Sequence, residues 1–287
     1  MRILVTGAAG NLGSVVVETL LNHIEPTDIS ALVRTVDDIS KLKSNGVNIC
    51  KGNYDDVTSL EKAMDTIDTV LLISAGDQGD RMQQHRNIID TAKKTGVKNI
   101  AYTSRAMRNR NTLAHQLMEE HFLIEDDIKG CGLNYTIFRN TLYMDVLPLF
   151  VGRKVFETGI FQPAGKGKVT FALRKEMGEA MANVLATEGC INKTYKFTNN
   201  EAYSFYDVAD ALTQLSGKEV NYTPIDIPTF QEKMRPTGIP ESMLQKVIEF
   251  NTDIKNGQED EVTYDLEHKL GRKPTPLKEG LKIVFRL

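Results

Sequence analysis

Residues 1–13 read MRILVTGAAGNLG, and this stretch decides the fold. An apolar run over Arg2–Thr6 leads directly into a turn that carries glycine at positions 7, 10 and 13. Apolar side chains then recur at helical spacing, at Leu12, Val15, Val16, Leu20 and Leu21. The pattern predicts a β-strand, a tight glycine turn and a helix in direct succession.

The same alternation continues outward through the first half of the chain. Short runs rich in Val, Ile and Leu, typical of strands covered on both faces, are separated by longer segments of helical period. The six candidate strands are Arg2–Thr6, Ile29–Val33, Val47–Lys51, Thr69–Ile73, Ile100–Thr103 and Tyr135–Phe138. This order predicts an α/β fold, a doubly wound parallel sheet with helices on both faces.

The pattern changes after about residue 145. Prolines and glycines crowd residues 148–167, and a shorter helix–strand alternation follows. The predicted elements there are helix Glu176–Ala186, strand Thr194–Thr198, helix Phe205–Leu215 and strand Val220–Thr223. We therefore expect two domains, residues 1–147 and a smaller C-terminal α/β region, residues 148–287, partly woven back onto the main sheet.

Composition excludes several classes of partner. The 287 residues carry a formal net charge of −3, so the chain has no basic surplus with which to neutralise a nucleic-acid backbone. It lacks the roughly 20 successive apolar residues that a membrane span needs. The three cysteines are few and widely spaced, which predicts free thiols, a cytoplasmic protein and no metal site.

The glycine turn indicates a nucleotide-binding function. Residues without a Cβ take positive φ and let the backbone approach a diphosphate, while the following helix directs free N–H groups at the phosphates. A glycine turn with a purely structural role is the alternative. The context of strand, turn and helix favours a Rossmann-like dinucleotide site. Its expected contacts are Gly7, Ala8, Ala9, Gly10, Asn11, Leu12 and Gly13.

Arg34 distinguishes between two forms of the cofactor. It lies at the end of the second predicted strand, where NAD-dependent enzymes place an acid that binds the ribose hydroxyls. A guanidinium offers instead a planar, charged pair of donors suited to a 2′-phosphate. We expect NADPH rather than NADH; the alternative is a solvated arginine at a strand end.

Longer stretches of the chain resemble a known family. The glycine turn and Arg34 occur together with Gln84–Ile89, Gly96–Ser104 and Tyr135–Tyr143. In this combination the chain resembles the NmrA-like branch of the atypical short-chain dehydrogenases/reductases, and within it the reductases of quinones and triphenylmethane dyes. The resemblance implies NADPH as cofactor and a homodimer. It also implies cofactor contacts at Arg34, Ser74, Ala75, Gly76, Asn140, Thr141, Leu142, Tyr143, Met144 and Asp145.

One departure from the wider superfamily bears on the chemistry. Ordinary members use a Tyr-x-x-x-Lys pair, in which the lysine lowers the tyrosine pKa, to exchange a proton with a carbonyl or alcohol. The positions that match this pair hold Phe122 and Asp126. Reversible alcohol–ketone chemistry through this pair is therefore not expected.

Two functions remain open from the sequence. An NADPH-dependent reductase of a quinone or similar flat aromatic acceptor needs no strong protein acid, because the acceptor is already electrophilic. The alternative is a catalytically weak NADP(H)-binding redox sensor or regulator. His121 as a proton donor and Tyr143 in an aromatic slot are the candidate catalytic residues. Phe150, Phe156 and Phe161 either line that slot or belong to the core.

Overall fold

The computed structural model describes residues 1–35, 42, 45–76, 79–152 and 154–287. Eleven strands occur in these ranges. In chain order they are β1 Ile3–Val5, β2 Ile29–Val33, β3 Asn48–Lys51, β4 Thr69–Leu72, β5 Asn99–Arg105, β6 Asn134–Asn140, β7 Ile160–Gln162, β8 Lys168–Val169, β9 Lys193–Phe197, β10 Tyr203–Ser204 and β11 Tyr222–Pro224. The six strands predicted for the first half are confirmed, with ends that differ by at most two residues.

Helices separate most of these strands. The longest have 15 residues, and within the described ranges none is both long and apolar enough to cross a lipid bilayer. In chain order the α-helices are α1 Gly13–Leu20, α2 Val57–Met64, α3 Arg81–Thr95, α4 Gln116–Gly130, α5 Leu147–Val151, α6 Val155–Thr158, α7 Arg174–Thr187, α8 Phe205–Ser216, α9 Ile227–Met234, α10 Glu241–Lys255, α11 Asp265–Leu270 and α12 Leu277–Phe285.

Seven strands form one parallel sheet in the order β3-β2-β1-β4-β5-β6-β9. Ile3 pairs with Ile29 of β2 on one side and with Thr69 of β4 on the other. The chain therefore builds the sheet outward from β1 in one direction and then, from β4, in the opposite direction. The carboxyl ends of β1 and β4 form the switch point at which doubly wound sheets bind ligands. The predicted Rossmann-like fold is confirmed.

The chain divides into two compact units. Unit 1 comprises Met1–Ser104, Glu120–Arg139 and Arg174–Tyr195, and unit 2 comprises Arg105–Glu119, Asn140–Leu173 and Lys196–Leu287. The sequence-based division at residue 147 follows chain order, whereas each of these units combines several segments. Helix α7 belongs to unit 1 because it packs closely on α1: a Cβ at Gly178 would lie 2.8 Å from Cγ1 of Val15.

Each unit has its own apolar core. In unit 1 the sheet contributes Leu4, Val70 and Ile100, all buried. The core of unit 2 includes the buried side chains of Met144 and Phe171.

Unit 2 also holds two small sheets that the sequence does not predict, β8–β10 and β7–β11. The predicted strand Val220–Thr223 is observed as β11, Tyr222–Pro224, and so begins two residues later than predicted. The N–H of Val220 donates to Oγ1 of Thr213 at 2.9 Å, so pairing with β7 begins only at Tyr222.

Candidate functional site

A cavity of about 740 Å³ lies in unit 1 beside the carboxyl ends of β1, β2 and β4. Its volume is within the range of sites that hold cofactors and drug-sized ligands. Its lining consists of Gly7, Ala9, Gly10, Leu32, Val33, Arg34, Thr35, Gly52, Asn53, Tyr54, Asp55, Ile73, Ser74, Ala75, Gly76, Gly79 and Gln84. The structure thus brings the glycine turn, Arg34 and the Ser74–Gly76 loop together around one space.

The glycine turn has the tight geometry that its sequence predicts. Gly7 has φ of 59°, in the region that favours glycine. A Cβ at Gly13 would collide with the carbonyl oxygen of Gly7 and lie 2.8 Å from Cα of Ala8. Ala8 is buried and its N–H donates to the carbonyl of Leu32 at 3.3 Å. Glycine is therefore required at both ends of the turn, and Gly7, Ala9 and Gly10 form this wall of the cavity.

Helix α1 begins immediately behind the turn, at Gly13. No side chain of the described residues caps its first turn, and that turn carries no acidic residue. Leu12 lies buried at the N-cap position, while Asn11 beside it is exposed. The first turn of α1 therefore places no carboxylate of its own at the positive end of the helix dipole, and an anion such as a diphosphate fits there.

Arg34 lies at the end of β2, is exposed and lines the cavity. Its charge acts on Tyr54, a cavity residue that follows β3. Burial, the largest effect, raises the pKa of Tyr54 to about 12, although the Thr6 hydroxyl and the Arg34 charge lower it. The Tyr54 phenol therefore stays protonated and neutral, and the Arg34 guanidinium supplies a positive charge on this side of the cavity.

Several cavity residues after β3 are missing from the sequence-based list. The Tyr54 hydroxyl donates to the carbonyl of Ile73 at 2.8 Å and lies 2.5 Å from Oγ1 of Thr6. Oδ1 of Asn53 accepts the N–H of Asp55 at 2.8 Å. Nε2 of Gln84 donates to Oδ2 of Asp55 at 3.0 Å. Asn53, Tyr54 and Asp55 directly follow a predicted strand, the same feature of the sequence that singles out Arg34.

The predicted contacts Asn140 to Asp145 belong to unit 2, whereas every described residue that lines the cavity belongs to unit 1. Asn140, Thr141, Leu142 and Met144 are buried, and Tyr143 and Asp145 are partly buried. The amide of Asn140 donates to the Tyr143 hydroxyl at 3.3 Å. A cofactor role for this segment stays a prediction.

The aromatic candidates of unit 2 differ in their surroundings. Phe150 and Phe156 pack against the core of unit 2, each in an edge-to-face contact with another phenylalanine. The ammonium of Lys233 lies 4.4 Å from the centre of the Phe161 ring. Phe150 and Phe156 therefore have the packing of core residues, the alternative that the sequence left open.

His121 has both ring nitrogens in hydrogen bonds. Nη2 of Arg81 lies 2.9 Å from Nε2, and the Tyr102 hydroxyl lies 2.9 Å from Nδ1. A guanidinium only donates, so Nε2 accepts and the neutral ring carries its proton on Nδ1. These contacts hold the ring in place between two buried residues and give no support to the proton-donor hypothesis, which stays a prediction.

The positions of the missing Tyr-x-x-x-Lys pair lie on α4. Phe122 is buried with the Arg139 guanidinium 4.8 Å from its ring centre, and Asp126 is exposed. The neighbouring Glu125 is fully buried and accepts hydrogen bonds from Arg139 at 2.6 and 2.8 Å and from Ser104 at 2.6 Å. Burial alone would raise the Glu125 pKa, but the bonds and charge of Arg139 outweigh it and lower the pKa. Glu125 is therefore a carboxylate with a structural ion pair.

Comparison with known proteins agrees with this architecture. Quinone oxidoreductase 2 of Escherichia coli is 30% identical over 99% of both chains. The structure of the E. coli NADPH-dependent quinone oxidoreductase with NADPH superposes with a TM-score of 0.90, at 30% identity over 99% of this chain and 100% of that chain. Citrobacter sp. triphenylmethane reductase with NADP(H) also gives 0.90, at 33% identity and the same coverage. The NmrA-like family model matches residues 1–282, and the chain belongs to the NmrA-like family.

Proposed function

We propose that the protein is an NADPH-dependent reductase that transfers hydride to a quinone or a similar flat aromatic acceptor. One observation carries the proposal: a cavity at the switch point of the sheet is lined by Gly7 and Gly10 of the glycine turn and by Arg34, and helix α1 begins directly behind that turn. The relatives support it, since the E. coli enzyme is named a quinone oxidoreductase and the Citrobacter enzyme a reductase of triphenylmethane dyes.

The residues of the cavity fit NADPH part by part. The glycine turn and the N-terminus of α1 would hold the diphosphate, because Gly13 permits the tight turn and the first turn of α1 carries no acidic residue. Arg34 would bind the 2′-phosphate. Tyr54 and Asp55 form the wall next to Arg34, and the Ser74–Gly76 loop forms the wall next to β4. Bound NADPH would supply the hydride.

The chain supplies no tyrosine–lysine pair at Phe122 and Asp126, and the proposed chemistry does not require one. A quinone that accepts a hydride gains two electrons and one proton equivalent and becomes a hydroquinone anion. That anion takes its second proton from water. The protein has to bind the acceptor, orient it and exclude competing reactions, which is positioning rather than acid catalysis.

The second candidate is an NADP(H)-binding redox sensor or regulator. Its support is the pair Phe122 and Asp126, at positions where a catalytic dehydrogenase has a titratable tyrosine and a lysine. Both candidates need the same cofactor site, so nucleotide binding alone does not separate them. Turnover does.

The test is NADPH oxidation, followed by absorbance, with a small quinone in excess and with enzyme-free and quinone-free controls. We expect turnover clearly above the enzyme-free background, and less turnover with NADH. Tight NADPH binding without turnover of a quinone or a triphenylmethane dye would refute the reductase and favour the sensor. A cytoplasmic location and a homodimer stay predictions.

A further inference from the structure

The Ser74–Gly76 loop, which lines the cavity after β4, is held through the backbone of its middle residue. The N–H of Ala75 donates to Nε2 of His85 at 2.9 Å, and the carbonyl of Ala75 accepts from Nε of Arg81 at 3.2 Å. Arg81 and His85 are four residues apart on α3, so they project from the same face of the helix. Two side chains from one helix thus hold both polar groups of one residue.

Arg81 is itself held by two residues of α4. Its side chain is 4% exposed, and Nη1 forms an ion pair with Oε2 of Glu120 at 2.9 Å. Nη2 donates to Nε2 of His121 at 2.9 Å, and the opposite nitrogen of that ring meets the Tyr102 hydroxyl at 2.9 Å. Each nitrogen of the guanidinium therefore has a defined partner, which fixes where Nε points.

His85 is fully buried and accepts at Nε2, so its neutral ring carries the proton on Nδ1. Nδ1 has no hydrogen-bond partner among the described residues. Burial, assisted by the charge of Arg81, lowers the His85 pKa to about 3. A buried N–H without a partner destabilises the fold. The bond to Ala75 is thus the one polar contact that this ring makes within the described chain.

These contacts surround a loop that lines the cavity. Ser74 is tied in the same way, because its N–H donates to Oγ1 of Thr103 at 2.8 Å. A loop that is ordered before the ligand arrives loses less conformational entropy on binding and binds more tightly.

We propose that Arg81 and His85 are positioning residues that fix the Ala75 peptide in the NADPH site, with Glu120 and His121 holding Arg81 in place. This proposal rests on the proposed function, since it assigns the Ser74–Gly76 loop to NADPH. It gives a role to two residues for which the sequence predicts no part in the site.

The experiment compares three variants at position 85 with a control on the same helix. His85→Leu removes the acceptor. His85→Gln places an amide oxygen near the position of Nε2, whereas the side chain of His85→Asn is too short to do so. The two variants are both polar and differ in whether an acceptor can reach the N–H of Ala75. Arg86→Met is the control, because Arg86 is exposed and pairs with Asp127 at 2.8 Å on the outer face of α3. Melting temperatures identify the variants that are folded.

We expect His85→Leu and His85→Asn to raise the Kd and KM for NADPH about tenfold, the effect of one well-placed contact, with His85→Gln recovering most of the loss. The KM for the quinone changes less than threefold, and Arg86→Met changes nothing. Amide exchange at Ala75, measured by NMR without nucleotide, becomes at least tenfold faster in His85→Leu and His85→Asn. A purely structural role would lower the active fraction and kcat while leaving the KM for NADPH unchanged.

The proposal is overturned when folded His85→Asn binds NADPH as tightly as wild type does, or when Ala75 exchange is equal in His85→Asn and His85→Gln. Should His85→Leu fail to fold, the Asn and Gln variants decide between the two outcomes. A wild-type protein that does not bind NADPH refutes the proposed function instead. In that case the exchange of Ala75, which needs no nucleotide, still shows whether His85 holds the peptide.

Discussion

Replacing Arg34 with glutamate should weaken NADPH binding strongly and leave NADH binding almost unchanged. The two nucleotides differ by the 2′-phosphate alone. Arg34 lies at the end of β2 on the cavity wall, where the adenosine side of a dinucleotide binds in this fold. The change removes a pair of charged donors and places a carboxylate beside the phosphate. NADH carries only the uncharged ribose 2′-hydroxyl there, which the carboxylate does not repel.

The magnitude follows from the exposure of Arg34. A hydrogen bond to a charged group contributes about 1.5–3 kcal/mol. Because the Arg34 side chain is exposed, we use the lower value, about 1.5 kcal/mol, for its contact with the 2′-phosphate. Repulsion between unit charges about 4 Å apart in water adds about 1 kcal/mol. The sum of about 2.5 kcal/mol corresponds to a roughly 70-fold higher Kd for NADPH.

Calorimetry with both nucleotides measures this difference. The control is Arg2→Glu, which makes the same change in net charge. Arg2 lies at the amino end of β1, whereas Arg34 lies at the carboxyl end of the neighbouring parallel strand β2. We expect that control to alter neither Kd by more than about twofold, because exposed charges far apart are screened by salt. Equal changes in the Kd for NADPH and NADH on Arg34→Glu would refute the assignment of the 2′-phosphate to Arg34.

Three further predictions concern the turn and two histidines. Gly13→Ala should lower the free energy of unfolding by about 1–3 kcal/mol and abolish NADPH binding, because the new Cβ collides with the backbone of Gly7 and Ala8. Chemical denaturation measures the loss of stability, and calorimetry measures binding. A wild-type Kd for NADPH would contradict this prediction. Because the His85 pKa falls from 6.5 to about 3 in the folded protein, the unfolded state binds more protons below pH 6.5. His85 should therefore make stability fall by up to about 1.4 kcal/mol per pH unit from about pH 6 toward 3, and denaturation of His85→Gln should show a correspondingly shallower slope. His121→Ala should keep kcat at saturating NADPH within about threefold with an unchanged pH profile, whereas a loss of about a hundredfold or more would restore the proton-donor hypothesis.

Much of the fold and half of the site follow from local patterns in the sequence. Short apolar runs and helical periods predict the six strands from β1 to β6, and the glycine spacing predicts the turn at Gly7. The rule that ligands bind beyond the carboxyl ends of parallel strands places Arg34 and Ser74 at one cavity, where the structure has them. The same rule would have identified Tyr54, which follows β3.

Other parts of the site depend on contacts that have no local signal. Asp55 and Asp56 are adjacent in the sequence, yet Asp56 caps α2, accepting from the N–H of Ser59 at 3.1 Å, whereas Asp55 lines the cavity. No spacing shows which of two neighbouring carboxylates turns inward, because that choice depends on Gln84 of another helix.

The sequence by itself determined the parallel sheet, the glycine turn and the cation at Arg34, since each depends on neighbours a few residues apart. Tertiary structure alone decided that His121 holds Arg81, a partner 40 residues away, and that α7 joins unit 1 through the close approach of Gly178 to Val15. The physical reason is that hydrogen bonding and packing depend on distance in space, and the order of residues along the chain determines that distance only within single helices, strands and turns.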